Sequence, residues 1–90
     1  MRFILENKIY DTDKAEVICE FRAIKPLMFC KTLTSSEDAI LYKTNKGNWF
    51  SVIERLEECT PLKKAQVKEL LKNLNNVELY EKYFGKLKEA

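Results

Sequence analysis

Ninety residues, 46% hydrophobic and 33% charged, make one ordinary globular domain spanning 1–90, with a single compact core and no low-complexity segment. A net charge of +2 excludes a globally basic nucleic-acid binder, so any phosphate-binding face must be local. No apolar run approaches the roughly 20 residues that cross a bilayer, and the start MRFILENK has no signal-peptide h-region, so a cytosolic protein without a membrane partner is expected.

In chain order, Arg2–Leu5 and residues 8–10 are two short β-prone pieces around Glu6-Asn7, forming either a narrow hairpin or one bulged strand. Asp11-Thr12-Asp13 then turns the chain or caps a helix, because short polar side chains bond nearby backbone amides. AEVICEFR alternates, with Val17, Cys19 and Phe21 on one side and Glu16, Glu20 and Arg22 on the other, which predicts a strand interrupted only by Ile18. Residues 23–38 are harder to assign: Lys25-Pro26 blocks regular structure and residues 34–38 are polar punctuation. Residues 27–33 are read either as an edge strand or as part of a functional or mobile loop over 23–38.

The stretch AILYKTNKGNWFSVIERL, residues 39–56, predicts the central β-hairpin. Gly47 supplies a positive φ for a three-residue bulged loop, and that loop pairs Thr44 with Asn48, Lys43 with Trp49, Tyr42 with Phe50 and Ile40 with Val52. Ile40, Tyr42, Phe50 and Val52 then face the core, while Lys43 and Trp49 share the opposite face. Thr60-Pro61 reads as an N-cap with Pro at the first helical position, starting a helix that runs to about Leu74. Its apolar side is Leu62, Ala65, Val67, Leu70, Leu71 and Leu74, and Lys64, Lys68 and Lys72 recur on another side. Asn75 stops that helix and caps a second, with Glu78 completing a capping box; Val77, Tyr80, Tyr83 and Phe84 bury one side, and Gly85 ends it. The fold class is therefore α+β: a small antiparallel sheet of three to five strands followed by two C-terminal helices packed on one face.

Chemistry-bearing constellations are few. The sequence has no His, only two Gly, and no Ser in a nucleophile-elbow context, so acid–base, phosphate-loop and serine-nucleophile chemistry lack their residues. Cys19, Cys30 and Cys59 are odd in number and widely spaced, which predicts free thiols rather than disulfides or a zinc site, and none sits beside a base. The Asp11 and Asp13 carboxylates are too few for a calcium loop and are explained by turn capping. No catalytic residue, metal or cofactor is expected. The candidate partner-binding residues are Lys43, Lys46, Trp49, Lys64, Lys68 and Lys72: an aromatic beside a cation near a hairpin tip suits base stacking or an interface anchor, and a lysine stripe suits phosphates or an acidic partner. Each also has a plainer reading, a solvated helix face for the stripe and a Trp lying against the sheet under the Lys43 stem.

Three spaced runs, KIYDTDKAE, LYKTNKGNWF and the closing FGKLKEA, resemble a family of small proteins common in Firmicutes genomes, phages and plasmids. Its members show K-x-Y-D-T-x-x-A, L-Y-[RK]-T-x-[KR]-G-x-[YWF]-F and F-G-x-x-E-E-A. The matching positions are Lys8, Tyr10, Asp11, Thr12 and Ala15, then Leu41, Tyr42, Lys43, Thr44, Gly47, Trp49 and Phe50, then Phe84, Gly85, Glu89 and Ala90. The chain departs from the pattern at residues 23–38 and 54–59, and Lys88 stands where an acid is common. The resemblance implies a non-enzymatic mobile-element protein that binds and blocks a host machine, as anti-CRISPR proteins do, with a CRISPR-Cas effector as the expected host partner. The alternative is a nucleic-acid-binding accessory protein that uses Lys43, Trp49 and the lysine stripe.

Overall fold

The computed structural model describes the backbone of residues 1–27 and 30–90, and the side chains of residues 1–25 and 34–90. The chain is α+β: a two-stranded hairpin, a four-stranded antiparallel sheet and two C-terminal helices. Strands β1 (Arg2–Leu5) and β2 (Lys8–Asp11) form the hairpin. Its two-residue loop, Glu6-Asn7, takes positive φ at both positions, +52° and +62°, and that backbone twist is what lets so short a loop match the twist of its strands. Strands β3 (Glu16–Leu27), β4 (Cys30–Lys43), β5 (Trp49–Ile53) and β6 (Glu58–Leu62) follow as a meander in the order β3-β4-β5-β6.

The β4–β5 register is the one the turn chemistry predicts: Ile40 opposite Val52, Tyr42 opposite Phe50 and Lys43 opposite Trp49. Gly47 has φ +86°, and the Thr44 and Asn48 backbones close the loop, with the Gly47 N–H donating to the Thr44 carbonyl at 2.9 Å. Ile18 is the extra residue of a bulge in β3, where the pairing with β4 shifts between Val17 and Cys19. The bulge changes the predicted faces. Val17 turns outward, 58% exposed, while Ile18 joins Cys19 and Phe21 against the helix-side core.

Two expectations are corrected. Residues 34–38 do not punctuate the chain but continue β4, pairing with β3 down to Pro26 opposite Thr34. Of the expected strand at 27–33, Leu27 ends β3 and Cys30 begins β4, and residues 28 and 29 lie outside the described residues. Thr60-Pro61 does not open a helix either: both belong to β6, with Thr60 opposite Ser51 and Pro61 opposite Phe50. Helix α1 spans Lys64–Asn73 after an extended Lys63. The Gln66 side-chain oxygen accepts the Lys63 N–H at 2.8 Å, so Gln66 supplies one reciprocal half of a capping box. Both prolines sit on edge strands, where the missing N–H breaks no ladder.

The core has two halves, one on each side of the sheet. Tyr42, Phe50 and Val52 are covered by the β1–β2 hairpin through Tyr10, Phe3 and Leu5. Tyr42 stacks on Phe50 at 5.0 Å, and Tyr10 meets Phe50 edge-on at 5.2 Å. On the other side Leu41 and Trp49 meet Val67 and Leu71 of α1 and the aromatic residues of α2 (Val77–Phe84). The helices do pack on one face, but it is the Trp49 face, expected to be open, while the expected core face of Tyr42 and Phe50 is closed by the N-terminal hairpin. Phe50, Leu41, Val52, Val67 and Leu71 are almost fully buried.

The helix junction is an αL turn. Asn75 has φ +53°. The Asn76 N–H donates to the Leu71 carbonyl and the Asn75 N–H to the Lys72 carbonyl, each at 3.0 Å, the pair of bonds that defines a Schellman stop. The N-cap of α2 is Asn76 rather than Asn75, since its side-chain oxygen accepts the Leu79 N–H at 3.2 Å. Val77, expected to be buried, is instead 54% exposed, and Leu79 packs in its place.

A ribbon formed by β3 and β4 extends beyond β5, which pairs only with Ile40–Lys43 of β4. Its base is tied down by charge. Glu37, 8% exposed, accepts two bonds from Arg55 of the 3₁₀ turn Glu54–Leu56, one of them from Nε at 2.8 Å. Arg55 also holds the Glu37 carboxyl below the usual carboxylate range, chiefly through that hydrogen bond. Lys25 pairs with Glu58, and Arg22 with Asp38 and Ser36.

The cap assignment predicts an ordering of two variants. Asn76→Ala should lower stability by about 1 kcal/mol, whereas Thr60→Ala, exposed on an edge strand, should change it by no more than about 0.5 kcal/mol. Urea midpoints measured on both variants check this, and the reverse order would return the helix start to Thr60.

Candidate functional site

The six residues singled out from sequence do not form one patch. Lys43, Trp49 and Lys68 come together, but around a core cluster. Trp49 is only 4% exposed, meeting Tyr83 edge-on at 5.1 Å and Phe84 at 5.9 Å. The Lys43 ammonium lies 5.4 Å from the Trp49 ring and 4.7 Å from that of Tyr83, and the Lys68 ammonium lies 5.4 Å from Phe84. The predicted register put Lys43 and Trp49 together on the face opposite Phe50, correctly. The expectation that this left Trp49 free to meet a partner is overturned. Tyr80, Tyr83 and Phe84 recur along α2, half-buried, and Tyr83 and Phe84 pack on the indole. The lysine stems then roof the aromatic cluster with their charge toward water.

The remaining lysines are dispersed. Lys64 is exposed on α1, Lys72 lies 3.6 Å from Glu69 one turn away, and Lys46 is exposed at the tip of the β4–β5 turn. Of these, Lys46 belongs to a cleft that sequence reasoning did not identify.

That cleft, about 540 Å³ in volume, lies between the β1–β2 hairpin and the β4–β5 turn. Its cations are Arg2, Lys8, Lys14 and Lys46; Asn7, Asn45 and Asn48 add amides, and Ile9, Tyr10 and Ala15 add carbon surface. Asp11, its one carboxylate, lies 3.5 Å from Arg2 and accepts the Asp13 N–H at 2.9 Å. Asp11 and Asp13 therefore form a turn in which one side chain bonds the other's backbone. Thr12 fixes the chain start, its N–H donating to the Met1 carbonyl and its hydroxyl accepting from the terminal ammonium, both at 2.9 Å. The cations come from four separate places in the chain, so no local motif announced them. Only the turn signals at Glu6-Asn7 and Asn45-Lys46-Gly47 pointed to where their carriers would be.

Beside the cleft, the outward face of the hairpin is unusual for its carbon. Ile4 and Ile9 oppose one another across β1 and β2 and are 81% and 60% exposed. Phe3, Leu5 and Tyr10 meanwhile point into the core, as strand alternation requires.

The two described thiols, Cys19 and Cys59, are poorly placed for nucleophilic work. Cys19 and Cys59 are free and half-buried, and they pack against opposite faces of the sheet. Burial raises the Cys19 thiol and pushes Cys59 up to about 11, leaving little thiolate at neutral pH. The Cys30 side chain lies outside the described ones. Among the described residues no three His, Cys, Asp or Glu side chains gather into a metal-binding group, and no helix is long and apolar enough to cross a membrane.

Comparison with protein-family models, curated proteins and solved structures found no match to this chain. Many residues that carry the phage and plasmid resemblance do have structural work here. Tyr10, Tyr42 and Phe50 form one half of the core, Leu41 and Trp49 belong to the other, Gly47 closes the turn and Asp11 anchors the next one.

The burial of Trp49 gives a sharp expectation. Trp49→Ala should cost about 3 to 5 kcal/mol, enough to unfold much of a domain this small. Lys43→Ala, which removes a stem from the roof, should cost under about 1.5 kcal/mol. Chemical denaturation of the two variants checks this, and a fully folded Trp49→Ala protein would restore the indole to the surface.

Proposed function

We propose that this protein is a non-enzymatic, stoichiometric binding protein of a phage or mobile element. It acts in the cytoplasm as an inhibitor of a host defence nuclease such as a CRISPR-Cas effector. The observation that carries the binding surface is the outward Ile4–Ile9 pair, two large aliphatic side chains left in water on a hairpin whose other face is locked into the core. Isolated exposed aliphatic residues are ordinary. A cross-strand pair of them beside a basic rim has the anatomy of an interface centre, carbon in the middle and charge around it. Arg2 shares that face, and Lys8 stands exposed beside it at the turn end of the hairpin. The class of partner comes from the resemblance to mobile-element proteins and from the scarcity of catalytic groups.

The competing reading, a nucleic-acid accessory protein, drew on Lys43, Trp49 and the lysine stripe. Trp49 now has intramolecular partners, Lys43 and Lys68 lie over aromatic rings, and Lys72 pairs with Glu69. Those groups therefore favour the protein-binding reading over a nucleic-acid one.

The test is a cleavage assay with a purified host CRISPR effector nuclease, titrated with this protein. Cleavage should fall to zero near one equivalent, and Ile4→Asp should weaken inhibition by about 30-fold or more, the cost of an interface hot spot, without lowering the melting temperature. Unchanged inhibition by folded Ile4→Asp would remove the hairpin face from the account. Failure to inhibit any defence nuclease of the host would remove the function itself.

A further inference from the structure

The cleft beside the hairpin has chemistry that an apolar protein interface does not use. Lys8, Lys14 and Lys46 are all exposed on its rim, and among the described residues none of them forms an ion pair. Its single carboxylate, Asp11, is already engaged by Arg2 and by the Asp13 N–H. Positive charge is thus gathered around a concavity without internal compensation, the arrangement that concentrates anions from solution. The lining is not only charged, for Ile9, largely exposed, and Ala15, half-buried, bring carbon surface to it. A bare inorganic anion would leave that surface wet, while a ligand with a flat organic body covers it. A volume near 540 Å³ falls in the range of small-molecule sites, roughly 300–1,000 Å³. The Asn45 and Asn48 amides, on the turn above, present both donors and acceptors of the kind a base edge can use.

We infer that this cleft binds a nucleoside phosphate, with the phosphate on Lys8, Lys14 and Lys46 and the base against Ile9 and Ala15. The site goes beyond the inhibitor function and is tested on different residues. The same chemistry is presented by a free nucleotide and by a nucleotide within a single strand, and the experiment separates the two.

Isothermal titration calorimetry of the intact protein would use ADP, pyrophosphate and a short oligothymidylate as probes. ADP or the oligonucleotide should bind at least tenfold more tightly than pyrophosphate, with affinity falling as salt rises. Lys14→Glu with Lys46→Glu should abolish binding at unchanged melting temperature, and the milder Lys14→Ala with Lys46→Ala should weaken it at least tenfold. Tighter ADP identifies a free nucleotide, and a tighter oligonucleotide that ADP displaces identifies a strand. No binding by either at millimolar concentration, pyrophosphate binding as tightly as the nucleotide, or affinity indifferent to both folded double variants would each overturn the assignment.

Discussion

The pairing of β4 with β5 is the constraint on which everything else depends, because one register sorts two sets of side chains to two faces at once. Tyr42, Phe50 and Val52 go to the hairpin side, and Leu41 and Trp49 to the helix side. A slip of one residue would exchange the sets and present the wrong surface to both covering layers. The slip is opposed at the turn, where Gly47 occupies a φ of +86° that other residues adopt only at a cost. It is also opposed in the ladder, where Tyr42 and Phe50 stack directly across the strands. A 90-residue chain has little surface to spare for a core, and a sheet covered on both faces uses its central strands twice.

This double coverage explains which parts of the fold were legible in the sequence. The central hairpin was read to its register because turn chemistry and alternation agree there. Both helices are legible because Val67, Leu71, Tyr80 and Phe84 repeat at helical spacing, although the start of the first is not. The N-terminal pieces read as a hairpin or a bulged strand, but alternation does not say what a strand packs against, so pattern alone leaves the face holding Trp49 as open surface. Thr60-Pro61 misled because a Thr-Pro pair is compatible both with a helix start and with an edge strand, and only the pairing with Ser51 and Phe50 decides between them. Residues 34–38 misled in the same way. Their serines and acids suggest a loop, yet an edge ribbon tolerates polar side chains, and Glu37 is held by Arg55 from a distant turn.

The surface was much less legible than the core. Residues that gather around an aromatic cluster, such as Lys43 and Lys68, resemble a nucleic-acid face when only their types and spacing are known. Conversely, Arg2, Lys8, Lys14 and Lys46 are scattered in sequence and converge only because the first hairpin lies beside the β4–β5 turn. The fold thus separates two kinds of exposed surface on neighbouring elements: aliphatic on the outward side of β1 and β2, cationic in the cleft. The far end of the sheet is different again, for the cations Arg22, Lys25 and Arg55 are there consumed by Asp38, Glu58 and Glu37. Among the described residues, the unpaired cations of the cleft therefore lie at the opposite, turn end.

Because Trp49 is the only tryptophan and lies at the centre of the helix-side core, its fluorescence measures the two-faced sheet directly. Emission from the native protein should be blue-shifted, and acrylamide should quench it far more slowly than in denaturant, as expected of an indole 4% exposed beneath Tyr83 and Phe84. Native emission and quenching indistinguishable from the unfolded chain would contradict the account, for they would place Trp49 in water and leave the helices without the surface they cover.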